Sequence, residues 1–219
     1  MDAHALEVVR NKCGFSSGVC VSSEGNAGGM GFWWQDMEVR TVSFSAHHFA
    51  VEVLDTEGNA TWRAVGVYGW PERDNKFRTW DLMRSLKQES SLPILFFGDF
   101  NEILSDVEKD GGAQRSERCM DGFRGAMDDC EVRDLGYKGS IFTWQRGLSP
   151  GTMIRERLDR FLGCDEWSLM FPCVEVQHFP IHRSDHAPIM LKAGRANEVR
   201  SKEKLFRFEA FLLVVQGGM

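Results

Sequence analysis

The chain has 219 residues, a net charge of −6 and a pI near 5.6, with 42% apolar and 26% charged residues. Seven Trp and sixteen Phe supply enough apolar surface to offset chain entropy, which excludes general disorder. The acidic balance excludes a protein that grips nucleic acid by overall charge, so any such contact must be local or run through bound cations.

Residues 3–13 are expected to form a helix, with Leu6, Val9 and Cys13 at helical spacing and Gly14 placed to end it. The pattern then changes to strands: Gly18–Ser22, Met30–Trp34, Val39–Ser45, Ala50–Asp55 and Thr61–Tyr68. Turn-rich pieces (SSEGNAGG, DTEGNA) separate them, as in an antiparallel layered structure. Gly28, Gly29 and Gly31 match neither GxGxxG nor GxxxxGKS, so a glycine-rich hairpin is expected. Asn75–Gln88 reads as an amphipathic helix that Pro93 separates from the next strand. Ile94–Phe97 is a continuous apolar run, as a strand buried on both faces requires. Further on, Met120–Cys130 reads as a helix. Phe142–Trp144, Arg157–Leu162, Val174–His178 and Ala187–Leu191 read as strands. Residues 1–193 are taken as one domain, and 194–219 as a charged linker running into KLFRFEAF.

Six cysteines form no CxxC pair and no zinc-finger spacing. The N-terminus lacks the apolar core of a secretory signal. No stretch approaches the ~20 apolar residues of a membrane span. Reduced thiols and an intracellular setting are therefore expected.

Four segments carry candidate chemistry. The buried strand Ile94–Phe97 delivers Asp99 and Asn101 at its end, where a carboxylate and a carboxamide two residues apart can point the same way. Ser184-Asp185-His186 heads an apolar run and offers a metal ligand beside an imidazole. In a strand, Arg157 and Asp159 would share a face, and an inward Asp159 needs a partner, for which His186 is the natural candidate. Tyr68 stands where a strand meets the Gly69-Trp70-Pro71 turn and could donate to a phosphate oxygen. Taken alone, each segment suits a turn, a cap or a salt-bridged edge better than a site.

Their order carries more than any one of them. VYGWP, LPILFFGDFNEIL, EKDGG, MDGFRGAMDDCEVRDLGYKGSIFTW, RERLDRFL, WSLMFP and SDHAPIML cover most of residues 60–192. In this order they resemble the endonuclease/exonuclease/phosphatase (DNase I-like) superfamily, most closely the endonuclease domain of plant non-LTR (LINE-type) retrotransposons. The terminal KLFRFEAF resembles the segment that leads toward a reverse transcriptase in such elements.

The resemblance implies a four-layer α/β sandwich, two mostly antiparallel sheets with helices outside. It implies Mg2+ (or Mn2+), DNA as substrate, cleavage of a phosphodiester bond by water, and a nuclear setting. Carried over by motif, Asp99 activates the attacking water, and Asn101 holds that water or a phosphate oxygen. Asp185 ligates the metal. His186 contacts the scissile phosphate, oriented by Asp159, and Tyr68 hydrogen-bonds the phosphate. Thr143 and Ser184 line the substrate site. Arg155, Arg157 and Arg160 are candidates for DNA-backbone contacts, against a reading as solvated surface.

The family's first strand, with an Asn, and a later strand ending in a metal-binding Glu have no counterpart here. The helix at residues 3–13 resembles the one that follows them, which implies a front-truncated domain lacking its first strands, with weakened metal affinity. The alternatives to an active endonuclease are a non-catalytic retroelement remnant, or a phosphatase of the same fold acting on a small phosphate ester.

Overall fold

A computed structural model describes residues 3–22, 29–147, 149 and 151–194. Its helices are α1 (Ala3–Lys12), α2 (Lys76–Gln88), α3 (Glu117–Asp129) and α4 (Asp165–Met170). Strands β1 (Ser17–Val21), β2 (Met30–Trp34), β3 (Val39–Ser45), β4 (His48–Leu54) and β5 (Ala60–Tyr68) precede α2. After it come β6 (Ile94–Asp99), β7 (Lys109–Asp110), β8 (Val132–Asp134) and β9 (Trp144–Arg146). The last four are β10 (Ile154–Glu156), β11 (Asp159–Cys164), β12 (Cys173–His178) and β13 (Ile189–Gly194).

The central sheet has six strands in the order β3-β4-β5-β6-β11-β8. Only β5 and β6 run parallel, and α2 makes the crossover that a parallel pair needs. Strand β6 is buried throughout in the middle of the sheet, between β5 and β11, which is why its first four residues, Ile94–Phe97, are an unbroken apolar run.

Alternation along β11 shows what covers each face. Phe161 stacks on Phe97, which meets Phe32 of β2, so β2 lies on that face. The next side chain back, Arg160, lies over Phe123 of α3, so the helices α2 and α3 cover the other. Strand β2 pairs with β1, and Trp33, on the far side from Phe32, packs with Leu6 of α1 and Phe15. The result is helix, sheet, sheet, helix: the expected four-layer sandwich. Strands β12 and β13 form a second two-stranded piece whose Val176 and Leu191 join the main core. Among the described residues, β1 pairs only with β2 and β13 only with β12.

Several expectations shift. The three short strands β7, β9 and β10 make a small sheet of their own. Helix α4 and strands β7, β8 and β10 have no counterpart in the sequence reading. Strand β11 starts at Asp159, so Arg157 lies before it and does not share its face. The tail at 195–219, with KLFRFEAF, and the β1–β2 connection at 23–28 lie outside the described residues. All six cysteines are free thiols, and no described helix is long and apolar enough to cross a membrane.

The arginines proposed for DNA contact are engaged elsewhere. Arg157 donates to Glu108 Oε1 at 3.0 Å and Asp134 Oδ1 at 2.9 Å. Arg160, fully buried, donates to Glu108 Oε1 at 3.0 Å and Asp134 Oδ2 at 2.8 Å, and also reaches Glu108 Oε2. Burial by itself would raise both carboxyls, but the two arginines outweigh it and hold Glu108 and Asp134 below their ordinary pKa. These arginines are neither solvated nor free for DNA. They fasten the EKDGG and DLGYKG segments to the end of β11. Arg155 pairs with Asp110 at 2.5 Å and lies over the Phe142 ring.

Candidate active site

The polar cluster forms where β6 and β11 meet the turn after β5. Asp159 and Asp99 are register partners across the antiparallel pair, and Tyr68 is aligned with Asp99 across the parallel one. All three therefore project on the face that β2 covers further along the sheet. Asp99 is fully buried and Tyr68 nearly so.

The segment Ser184-Asp185-His186 crosses this edge. His186 makes an antiparallel bridge to Trp144, and Ala187 N donates to Thr143 O at 2.7 Å. The imidazole is thereby set between two carboxylates: Nδ1 lies 2.9 Å from Asp159 Oδ2, and Nε2 lies 3.8 Å from Asp99 Oδ2. Burial works to lower the His186 pKa, but the charge and hydrogen bond of Asp159, with Asp99 and Asp185 behind, push it up to about 9. Asp99 moves the opposite way from an ordinary carboxylate: burial first, then the charge of Asp159, raise it to about 6. The cluster thus pairs an imidazolium with a carboxyl poised near neutrality.

Asn101 is tied into the same turn. Its backbone N–H donates to Asp99 Oδ1 at 2.8 Å, and its amide nitrogen donates to Asp99 Oδ2 at 3.1 Å and Gly69 O at 2.8 Å. It takes a left-handed φ of 55°, which Asn tolerates better than most residues. Gly69 holds the turn from the other side, its N–H donating to Asp99 O at 2.7 Å. A Cβ on Gly69 would lie 2.4 Å from Phe100 O. Gly69→Ala should therefore push Asp99 and Asn101 off position and cut any turnover by about 10²-fold, the scale of a ~1 Å misplacement. Steady-state rates beside a thermal melt check it, and an unchanged rate would refute the close-approach argument.

Other proposed residues take different places. Thr143 is fully buried, and its hydroxyl accepts from Leu158 N at 2.9 Å and Asp159 N at 3.0 Å. It pins the start of β11 from inside. Ser184 is exposed, and its hydroxyl accepts from His186 N at 3.2 Å, shaping the turn. Asp185 is half-buried, and Trp144 Nε1 donates to its Oδ2 at 3.1 Å.

Sequence reasoning missed Trp144 as the residue that orients Asp185, and Lys76. The Lys76 ammonium, buried at the start of α2, donates to Asn101 O and lies 3.6 Å from Glu102 Oε2. A lysine in the first turn of an amphipathic helix carries no signal of burial, so only the fold reveals it.

Among the described residues no group of three or more His, Cys, Asp or Glu gathers as a metal-binding set. The donor chemistry fits a hard cation in one limited way. Mg2+ takes one or two carboxylates and completes its shell with water and substrate phosphate. Asp185, with one oxygen held by Trp144 and the other without a partner among the described residues, offers one such carboxylate.

No protein-family model and no curated protein matches the chain. Solved structures do. The endonuclease domain of TRAS1, a telomere-specific non-LTR retrotransposon, superposes with a TM-score of 0.61 at 14% identity, covering 85% of this chain and 81% of that one. The 3′ phosphatase NExo from Neisseria, bound to a product DNA hairpin, gives 0.59 at 17% identity, with 89% and 83% covered. TDP2 of D. rerio, complexed with a single-strand DNA product, gives 0.52 at 13%, with 86% and 81% covered. The chain therefore has the DNase I-like fold, a mixed α/β sandwich with its polar cluster at one edge of the central sheet.

Proposed function

We propose that the chain is a Mg2+- or Mn2+-dependent phosphodiesterase that cleaves DNA internally, an endonuclease of the kind found in non-LTR retroelements. The observation that carries this reading is His186 held between Asp159 and Asp99, with Asn101 bound to the same carboxylate. The three similar structures, an endonuclease domain, a 3′ phosphatase bound to a product DNA hairpin and a complex with a single-strand DNA product, support the substrate class.

In this reading each residue of the cluster has a role. Asp99, raised to about 6, accepts the proton of the attacking water near neutral pH. Asn101 fixes that carboxylate and presents its carboxamide oxygen to the water. His186, kept charged by Asp159, faces the phosphoryl oxygens and offsets the charge that builds there. Tyr68, aligned with Asp99, bounds the site on the β5 side. Asp185 would hold the cation, which when bound polarises the phosphoryl oxygen and stabilises the leaving oxyanion.

Conversion of supercoiled plasmid to the nicked form tests this. Nicking in Mg2+ that EDTA stops and that Asp185→Ala lacks is expected. A second reading, a DNA-binding domain without turnover, is favoured by the single carboxylate offered to a cation, with no three-donor set among the described residues. It predicts plasmid binding with no nicking in either cation.

A further inference from the structure

Beside the catalytic turn, a cavity of about 470 Å3 opens between α2 and α3. Arg73, Lys76 and Arg118 line it against a single acid, Asp74, with Phe77, Trp80 and Ser116 among the remaining walls. The Lys76 charge is matched by Glu102 at 3.6 Å, which leaves the Arg73 and Arg118 guanidinium groups as the cavity's cations against Asp74. Most arginines here reach a carboxylate, as Arg84, Arg124 and Arg155 do. The guanidinium groups of Arg73 and Arg118 have no hydrogen-bond or ion-pair partner among the described residues, and both side chains are exposed. Ser116 caps α3 without a side-chain cap bond, which leaves its hydroxyl open. Phe77 is 54% exposed, an unburied ring at the rim of a charged hollow.

This combination matches a nucleotide unit: a phosphate between two free guanidinium groups, and a base face on an exposed ring. A base can lie on Phe77 only if it is unpaired. The cavity is also mechanically joined to the site, since Lys76 lines it and donates to Asn101 O from beneath the catalytic turn.

We propose that this cavity binds a phosphate and adjoining unpaired base of a single-stranded DNA segment next to the cleaved bond, so that the preferred substrate is a duplex with a single-stranded tail or gap. This deepens the endonuclease reading and rests on DNA being the substrate, but its test does not require turnover.

The test is fluorescence anisotropy of the whole chain in EDTA, with a blunt DNA duplex and the same duplex carrying a single-stranded tail. The variants are Arg73→Ala with Arg118→Ala, Phe77→Ala alone, and Lys12→Ala with Lys87→Ala as a control that removes equal charge elsewhere. The wild type should bind the tailed DNA more tightly. The arginine pair should lose about tenfold on the tailed DNA, with the salt slope reduced by about 0.7 for the one strand phosphate they share. Phe77→Ala should lose roughly five- to a hundredfold on that DNA alone. Equal binding of both DNAs, or equal losses in the control, would overturn the proposal. So would displacement of the tailed DNA by millimolar glycerol phosphate, which would mark a site for small phosphate esters. Tail preference that vanishes in these variants upholds the cavity even if the plasmid is never nicked. Nicking with no tail preference upholds the hydrolytic reading and sinks this one.

Discussion

His186→Ala should reduce plasmid nicking by about 10²- to 10⁴-fold, the range for loss of a group that manages charge or protons at a reacting centre. The size follows from its position. The imidazole stands between Asp159 and Asp99, and is the cation placed between two carboxylates of adjacent strands. On the proposed mechanism its removal takes positive charge from the phosphoryl group, and it leaves two carboxylates without the imidazole between them. Asp159→Asn should cost less, because the ring keeps a hydrogen-bond partner while its charge is less strongly favoured. Rates at matched Mg2+, with a thermal melt of each variant, measure both. A His186→Ala enzyme as active as the wild type would remove the imidazole from the mechanism.

Arg160→Ala should be the most damaging single change to stability, at about 3–5 kcal/mol, the cost of breaking a buried ion pair from one side. The side chain is fully buried and serves both Glu108 and Asp134, with its guanidinium over Phe123. Truncation leaves Arg157 as the one ion-pair partner among the described residues for two carboxylates that otherwise accept only from the Leu104 and Gly136 backbone N–H groups. The melting temperature should fall by at least about 6 °C, taking about 2–4 °C per kcal/mol for a chain of this size. A melt within about 2 °C of the wild type would show that the network contributes little. Arg155→Ala, on an exposed pair with Asp110, should change stability by less than about 1 kcal/mol.

These two cases also mark how far the sequence could be read. Asp99, Asn101, Asp159 and His186 were legible through the order of their motifs along the chain and the family it resembles, since each motif alone suited a turn, a cap or a salt-bridged edge. Their convergence was expected, and the register pairing of Asp159 with Asp99 delivers it. Arg157 and Arg160 were misread because a charge in a sequence does not name its partner. Glu108 and Asp134 stand far from them along the chain: Asp134 meets them only after β11 pairs with β8, and Glu108 only after β7 pairs with β10. Thr143 was expected to face substrate, yet its hydroxyl is spent on two backbone N–H groups. Strands of two or three residues, such as β7 and β8, leave no periodicity to detect. The cavity between α2 and α3 joins residues about forty positions apart, and its charge shows only once other arginines are seen to be paired.

The central claim is that this cluster hydrolyses a phosphodiester with Asp99 as the proton acceptor, and Asp99→Asn tests it most directly. The amide keeps the shape of the carboxyl, but one of the two oxygens that accept from Asn101 becomes an N–H donor, so the variant should stay folded with a loss of about 1–3 kcal/mol. Nicking of supercoiled plasmid in Mg2+ should fall by at least about 10²-fold. A folded Asp99→Asn protein that nicks at the wild-type rate would contradict the account.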